Sequence, residues 1–373
     1  MAENMRLLLL IGGILPERAP HEVIEALQSV SVHTGTGEQG GFQLSFAVSK
    51  RSALTTTLLP MGYFDPGRRV VIATIIRGEQ TVVMDGIITR QEVGPSDTPG
   101  ASTLTVTGLD MTAVFDMVHV EFIWPELPYF AQVELICLKH AMYGIAPIAV
   151  PSVFNPVEPA VRRNGVQSDT DLEYIKYLAT RAGHVFFIEP GPEIGTNIAY
   201  WGPEARFGLM QPALSVNMGA ASNTESMSFA FDGLSATQYS IIEVEPHTGI
   251  GFPIPIPDVS LLRPPLAARP ALKLKHQKID FGANKSLPEG LLYGLAHSAK
   301  SLDAISGQGK LDVLRYGHVL KARRLVGVRG VGAAYDGLYF VTKVTHEIKR
   351  GEYKQSFSLS RDGLLPLLEE VSV

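Results

Sequence analysis

The stretch Val341-Thr342-Lys343-Val344-Thr345-His346-Glu347-Ile348-Lys349-Arg350-Gly351-Glu352-Tyr353-Lys354-Gln355-Ser356-Phe357-Ser358-Leu359-Ser360-Arg361 reads as one β-hairpin. With Arg350-Gly351 at the turn, Ile348 faces Tyr353, Val344 faces Phe357 and Thr342 faces Leu359 on one side. Glu347 then meets Lys354, and Thr345 meets Ser356, on the other. A slip of one residue would put Tyr353, Phe357 and Leu359 in water, so the pattern specifies its register. Arg350 is not a residue that a primed turn favours, which leaves open a loop longer by two. His346 lies within this hairpin, where a cross-strand partner such as Gln355 suffices as its role.

The same reading extends to the N-terminal third. Leu7 to Leu15 is an apolar run behind Arg6. Glu3 and the absence of a small-x-small cleavage site argue against a secretion signal, so the run is expected to be the first buried strand. Phe42 to Val48 alternates, Asp65-Pro66-Gly67 turns, and two β-runs, Arg69 to Arg77 and Thr81 to Val93, flank Gly78-Glu79-Gln80. In Thr103-Leu104-Thr105-Val106-Thr107 the alternation predicts one dry face and one threonine face. Residues 1–110 are therefore expected to form an antiparallel barrel or sandwich.

After Asp110 the period becomes helical, across Met111 to Val118 and Phe130 to Tyr143, with Gly144 as a stop. In Ser168 to Gly183, Ser168 is expected to cap a helix, with Asp171 completing a capping box. Leu172, Ile175, Leu178, Ala179 and Ala182 share one face of it. Gly183 ends the helix, and the strands 184–188 and 198–201 complete an α+β insert over 111–212. Residues 246–270 hold seven prolines, which bar them from a central sheet. They belong to a proline-rich excursion with a short helix, 246–302. A second β-unit is split around it, 213–245 and 303–363, leaving a tail at 364–373.

Charged residues make up 18% of the chain and the net charge is −5, so no global attraction for nucleic acid or an anionic membrane is expected. Lys321-Ala322-Arg323-Arg324 reads as a solvated strand edge. The single cysteine, Cys137, sits in an apolar segment as a small buried hydrophobe, consistent with folding in a reducing cytoplasm.

The search for catalytic patterns returns none that its context supports. Gly35-Thr36-Gly37-Glu38-Gln39-Gly40 spells a dinucleotide fingerprint, but a strand pattern follows it where a helix is required. His21-Glu22 and His346-Glu347 lack the second histidine of a zinc-protease helix, since Glu25 and Arg350 stand there. His119-Val120-Glu121 lacks the paired cysteines of a zinc deaminase. There is no GxSxG elbow, and Gly307-Gln308-Gly309-Lys310 is not a phosphate loop. Asp169-Thr170-Asp171 is explained by helix capping rather than by metal. Carboxylate pairs for glycoside hydrolysis are set by the fold, which keeps a wall hydrolase as the alternative.

Two segments resemble the late control protein D family of phages, whose relatives include tail hubs and the N-terminal part of type VI secretion spike proteins. The first is Gln167 to Ile188, a helix with an acidic start followed by a strand, carrying Asp169, Asp171, Leu172 and Gly183. The second carries Gly317, then Gly337 and Tyr339, then His346, then Tyr353, Phe357 and Arg361. The resemblance marks these as folding positions, with no catalytic, cofactor or metal residue. It implies a mainly β chain with an α+β insert and two antiparallel β-barrel domains of the phage tail hub type. Such subunits form a homotrimer around a channel, with the inner tube protein, a separate spike protein and other baseplate proteins as partners. No specific nucleic acid and no stable membrane insertion are implied. Assembly is expected in the bacterial cytoplasm, as part of a phage tail or contractile injection particle. Besides the hydrolase, a β-rich carbohydrate-binding module is the remaining alternative.

Overall fold

A computed structural model describes residues 5–96, 98, 102–152, 165–208, 210–244, 251–256, 263–279, 294–295, 298 and 302–367. Its first part is antiparallel. The apolar run near the N-terminus is strand β1 (Met5–Gly12), followed by β2 (Pro16–Arg18), helix α1 (His21–Ala26), β3 (Leu27–Gly35) and β4 (Gly41–Ala47). Strands β5 (Arg69–Ile76), β6 (Glu79–Gly94) and β7 (Thr103–Asp110) complete it. Ile76 pairs with Glu79, so Arg77-Gly78 is a two-residue turn, shorter than the three-residue turn read from the sequence. Both its residues have positive φ, 50° and 87°, as a primed hairpin turn requires. The glycine-rich fingerprint is the β3–β4 loop, as its strand pattern indicated. Leu104 and Val106 are buried on β7, and the intervening threonines are partly exposed.

The insert runs through β8 (His119–Trp124), α2 (Tyr129–Lys139), β9 (Ile145–Ala149), β10 (Gly165–Thr170), α3 (Asp171–Ala182), β11 (Val185–Pro190) and β12 (Asn197–Gly202). Its own core gathers Phe115, Val133, Cys137, Leu172, Ile175, Leu178 and Trp201. The segment expected to be helical across Met111 to Val118 is a 3-10 helix over Met111–Asp116. Strand β10 extends through Thr170 because it pairs with β8, which removes Ser168 from the cap. Thr170 is the cap instead, accepting from Glu173 N.

The remaining strands are β13 (Gln211–Ser215), β14 (Thr224–Phe231), β15 (Thr237–Val244), β16 (Gly251–Pro255), β17 (Ala267–Pro270), β18 (Lys275–Lys278) and β19 (Ile305–Asp312). They are followed by β20 (Leu325–Arg329), β21 (Gly337–Lys349), β22 (Glu352–Arg361) and β23 (Gly363–Pro366). The proline-rich strand β16 is an edge strand in a separate three-stranded sheet, β16-β15-β18. Ile241, Ile256 and Ile279 make the small core of that sheet. The short helix expected in the excursion falls almost wholly outside the described residues.

Hairpin β21–β22 keeps the register read from the sequence from Ile348–Tyr353 to Val344–Phe357. Lys349 pairs with Glu352, so the loop is two residues long, and Gly351 alone supplies a positive φ, 77°. Beyond Val344 the expected pairing of Thr342 with Leu359 fails: Val341 faces Leu359 and Lys343 faces Ser358, with Thr342 bulged between them. The bulge marks a change of partner. On the edge away from β22, Gly337–Phe340 pairs with β20, whereas Lys343–Lys349 pairs with β3. One strand thereby links the strands before the insert to those after it. The result is a single 13-stranded sheet, followed as β14-β19-β22-β21-β3-β4-β7-β6-β5-β1-β2 with β20 and β13 branching from β21. One apolar core runs beneath strands of both parts. Among the described residues no helix is long and apolar enough to cross a membrane.

Candidate functional site

Ile87 of β6 packs in the insert core and Ile194 packs on Leu10, Val71 and Val82 of the sheet, and two polar junctions, each centred on an arginine, join the same parts. At the first, Arg69 at the start of β5 clamps Asp85 of β6, Nε to Oδ1 at 2.8 Å and Nη2 to Oδ2 at 2.6 Å. Its remaining donors reach the carbonyls of Ile14 (2.8 Å), Tyr143 (2.9 Å) and Gly195 (3.0 Å). Asn197 of β12 adds a hydrogen bond to Asp85 Oδ2 at 2.9 Å. The fork geometry of guanidinium suits this role, because it serves a carboxylate and several carbonyls at once.

At the second junction, Arg323 has a positive φ of 61° and lies beside the Thr342 bulge. It donates to Gly35 O at 2.6 Å, pairs with Glu189 of β11 at 3.3 Å, and lies 4.3 Å from the Phe187 ring. Its side chain is 9% exposed, which corrects the expectation that Lys321-Ala322-Arg323-Arg324 is wholly solvated. Lys321 and Arg324, the latter also reaching Glu189, are exposed and fit that reading.

The folding positions named from the sequence fall into three places. In the insert, Asp169 is exposed on β10, Leu172 is buried, and Gly183 ends α3. Asp171 accepts from Gln167 Nε2 (2.7 Å), Lys139 Nζ (3.2 Å) and His140 Nε2 (3.2 Å). Burial pushes its carboxyl up, but the His140 and Gln167 hydrogen bonds and the Lys139 ammonium outweigh this and hold it below the usual range. It is therefore the polar centre that ties α2 to α3, not a capping residue as the sequence suggested.

At a second place, Tyr339 lies under Arg361, 4.5 Å from guanidinium to ring. Arg361 donates to the carbonyls of Gly363 (2.7 Å), Asp336 (2.8 Å) and Ala334 (2.8 Å). Gly337, at φ 123°, lets the backbone enter this corner, where a Cβ would sit 2.7 Å from Pro366. Gly317 ends the one-turn helix Val313–Tyr316 nearby in the chain. The third place is the hairpin interior, where Phe357 packs in the sheet core and His346 Nδ1 meets Tyr353 Oη at 2.8 Å and Gln355 Nε2 at 3.2 Å. The Gln355 amide accepts from Leu320 N and donates to Leu320 O, which fixes its orientation. The amide donates to His346, so Nδ1 is the acceptor and the ring proton sits on Nε2. Burial lowers the imidazole to about 3, which keeps it neutral at ordinary pH.

None of these places has the geometry of a reaction centre. Cys137 is buried, and burial, with Asp171 and Glu134 nearby, pushes its thiol up to about 12. The fold brings Glu204 and Asp303 together, but Arg206 and Arg263 lie between them, with Arg206 Nη2 2.6 Å from Asp303 and 3.4 Å from Glu204. Burial pushes the Asp303 carboxyl up, but Arg206 and Arg263 outweigh this and hold it below the usual carboxylate range, the reverse of what a general acid needs. No group of three or more His, Cys, Asp or Glu able to hold a metal occurs among the described residues. Two apolar clefts are open to solvent. One, of about 480 Å³, lies between β1, α1 and the β21–β22 turn, and the other, of about 400 Å³, is lined by Phe207, Met210, Pro264 and Leu367.

Sequence reasoning missed Arg69, Asp85, Asn197, Glu189 and the Arg206–Asp303 cluster. For Asp85 a signal was present, since it is a lone charge inside the apolar run Val82-Val83-Met84-Asp85-Gly86-Ile87-Ile88; Arg69, beside Arg68 at a turn, gave none.

No protein-family profile matches the sequence, and no curated protein aligns with it significantly. Solved structures do match. A tail protein from Neisseria meningitidis MC58 superposes with a TM-score of 0.62 at 14% identity, over 97% of this chain and 98% of that one. The 43 kDa tail protein of prophage MuSo2 from Shewanella oneidensis gives a TM-score of 0.64 at 12% identity, over 96% and 100%. A chain of the Francisella PdpA-VgrG complex gives 0.57 at 8% identity, over all of this chain and 55% of its own length. At these identities the likeness is one of architecture, and along nearly its whole length this chain has the fold of phage tail proteins.

Proposed function

We propose that this chain is a structural baseplate hub of a phage tail or contractile injection machine, joining the inner tube to a separate spike and surrounding a channel for cargo. The observation that carries the reading is the end-to-end match with two tail proteins, which covers nearly all of both partners. In this reading the chain is a homotrimer, and each subunit contributes two β-barrel domains, residues 1–110 and residues 213–245 with 303–363. The insert (111–212), the excursion (246–302) and the tail (364–373) decorate them. The partners are the tube, the spike and other baseplate proteins, with assembly in the bacterial cytoplasm. No catalysis is assigned: the buried carboxylates, histidine and thiol described above serve packing and strand joining.

The test is to tag the chain in its producing cell, purify gently, and combine mass spectrometry of co-purifying proteins with electron microscopy. Tube, sheath and spike proteins with three copies of this chain per particle are the expected result. A lone soluble monomer under assembly conditions, together with lysis of cell wall in zymography, would replace the hub by a wall hydrolase.

A further inference from the structure

Two surfaces far apart in sequence are complementary in both polarity and charge. The first is the edge strand β18 and the residues before it, Leu272-Lys273-Leu274-Lys275-His276-Gln277-Lys278. Leu272 and Leu274 are 77% and 62% exposed, and every residue of β18 is exposed. Its sheet has two edges of different kinds. Pro253 and Pro255 deny donors to the β16 edge, whereas β18 has no proline and, among the described residues, no partner strand on its outer side.

The second surface is the β8–β10 ribbon. Its inner face packs Trp124 and Gln167 on the insert, joined by a hydrogen bond of 3.1 Å. Its outer face pairs Ile123 with Val166, 61% and 62% exposed, and Glu121 with Ser168. Val118 is exposed beside it, and Asp116, Glu126 and Glu173 form an exposed acidic rim. An apolar pair framed by carboxylates matches an apolar pair followed by cations.

We infer that Leu272–Lys278 is a docking arm, and that its occupant site is the β8–β10 ribbon of a second copy of this chain. The leucines cover Ile123 and Val166, while Lys275, His276 and Lys278 meet Glu121 and Glu173. Arm and ribbon are different surfaces, so the contact is head to tail, and it closes as a ring in the trimer of the hub reading. The inference rests on the homo-oligomeric part of the hub reading and names the surfaces that make it. A row of lysines on an edge strand also serves to discourage unwanted pairing. Charge reversal separates the two roles.

The experiment measures self-association of the full chain by sedimentation. One variant reverses the arm (Lys275→Glu, His276→Glu, Lys278→Glu), one reverses the ribbon (Glu121→Lys, Glu173→Lys), and one carries both. Either single reversal is expected to weaken association by at least about tenfold, as is raising salt from about 0.05 to about 0.5 M, and the combined reversal is expected to restore it. Where a reversed chain fails to fold, Leu272→Ser with Leu274→Ser replaces it, since both leucines are exposed and their loss should leave folding intact. Association unaffected by these changes overturns the inference and leaves the hub reading standing. So does a wild-type monomer that still enters particles with tube and spike. A wild-type monomer that enters no particle overturns both.

Discussion

The two arginine junctions between insert and sheet use the same side chain in different surroundings. At Arg69 the ion pair is closed, with 2% of the arginine and none of Asp85 exposed, and its donors are shared among three chain segments and a carboxylate. At Arg323 the pair is at the margin of solvent: Glu189 is 21% exposed, and Arg323 Nε is buried without a hydrogen-bond partner. Each junction leaves one buried polar atom without a hydrogen-bond partner, Asn197 Oδ1 at the first and Arg323 Nε at the second, so the contrast lies in the ion pairs, one closed to water and the other at its margin. With no water to replace a lost partner, the first is all-or-none. The second adds packing on Phe187 to a charge that water can partly serve.

Arg69→Ala should therefore have the largest effect, about 3–5 kcal/mol, because it leaves the Asp85 carboxylate buried and unpaired. Both tryptophans, Trp124 and Trp201, lie in the insert core, so tryptophan fluorescence during denaturant unfolding reads the insert directly. The double variant Arg69→Ala, Asp85→Ala should be destabilised by clearly less than the sum of the single variants. Additive losses would show that the pair does not act as a unit, and the comparison of closed and open junctions would fall.

A buried neutral group offers a check on whether closure or charge makes a site sensitive. His346 is lowered to about 3 in the folded chain, against an ordinary 6.5, so below pH 6.5 the unfolded chain takes up a proton that the folded chain refuses. Stability should fall as pH drops from 6.5 toward 3, by up to about 1.4 kcal/mol per unit from this residue. His346→Gln should flatten that slope in chemical denaturation at stepped pH. An unchanged slope would assign the acid loss to other groups, such as His184, which burial lowers to about 4.

The hairpin that holds His346 was legible because its register depends on residues that face each other locally, Ile348 with Tyr353 and Val344 with Phe357. Its error at Thr342 has a nonlocal cause. The bulge sits where β21 changes partner from β20 to β3, and no short-range pattern encodes that exchange. Asp171 was misread for a related reason: a carboxylate at a helix start is a good cap in isolation, but His140 and Lys139, some thirty residues earlier in the chain, draw it inward. Arg323 was misread because a basic run looks the same whether it faces water or an aromatic ring.

Arg323→Ala should cost about 1–3 kcal/mol, combining a charge-assisted bond to Gly35 O with the contact on Phe187. Arg323→Lys sharpens the point, since lysine retains the charge but neither the flat face nor the fork. If the junction works by shape, lysine should recover less than half of the loss. A full recovery would mean that charge alone holds the insert there.

Arg324→Ala is the smallest expected change. Its guanidinium touches Glu189 at 3.2 Å, close to the 3.3 Å of Arg323, yet its side chain is 52% exposed. Solvent screens such a pair, and ordering two long side chains offsets much of the attraction, so its loss should shift the insert transition by about 0–1 kcal/mol. The two arginines share one carboxylate at almost one distance and differ in burial and in what burial brings Arg323, the ring beneath it and the bond to Gly35 O. Equal effects of the two substitutions would mean that the Glu189 charge decides the junction, and a difference of about 1 kcal/mol or more would place the decision in burial.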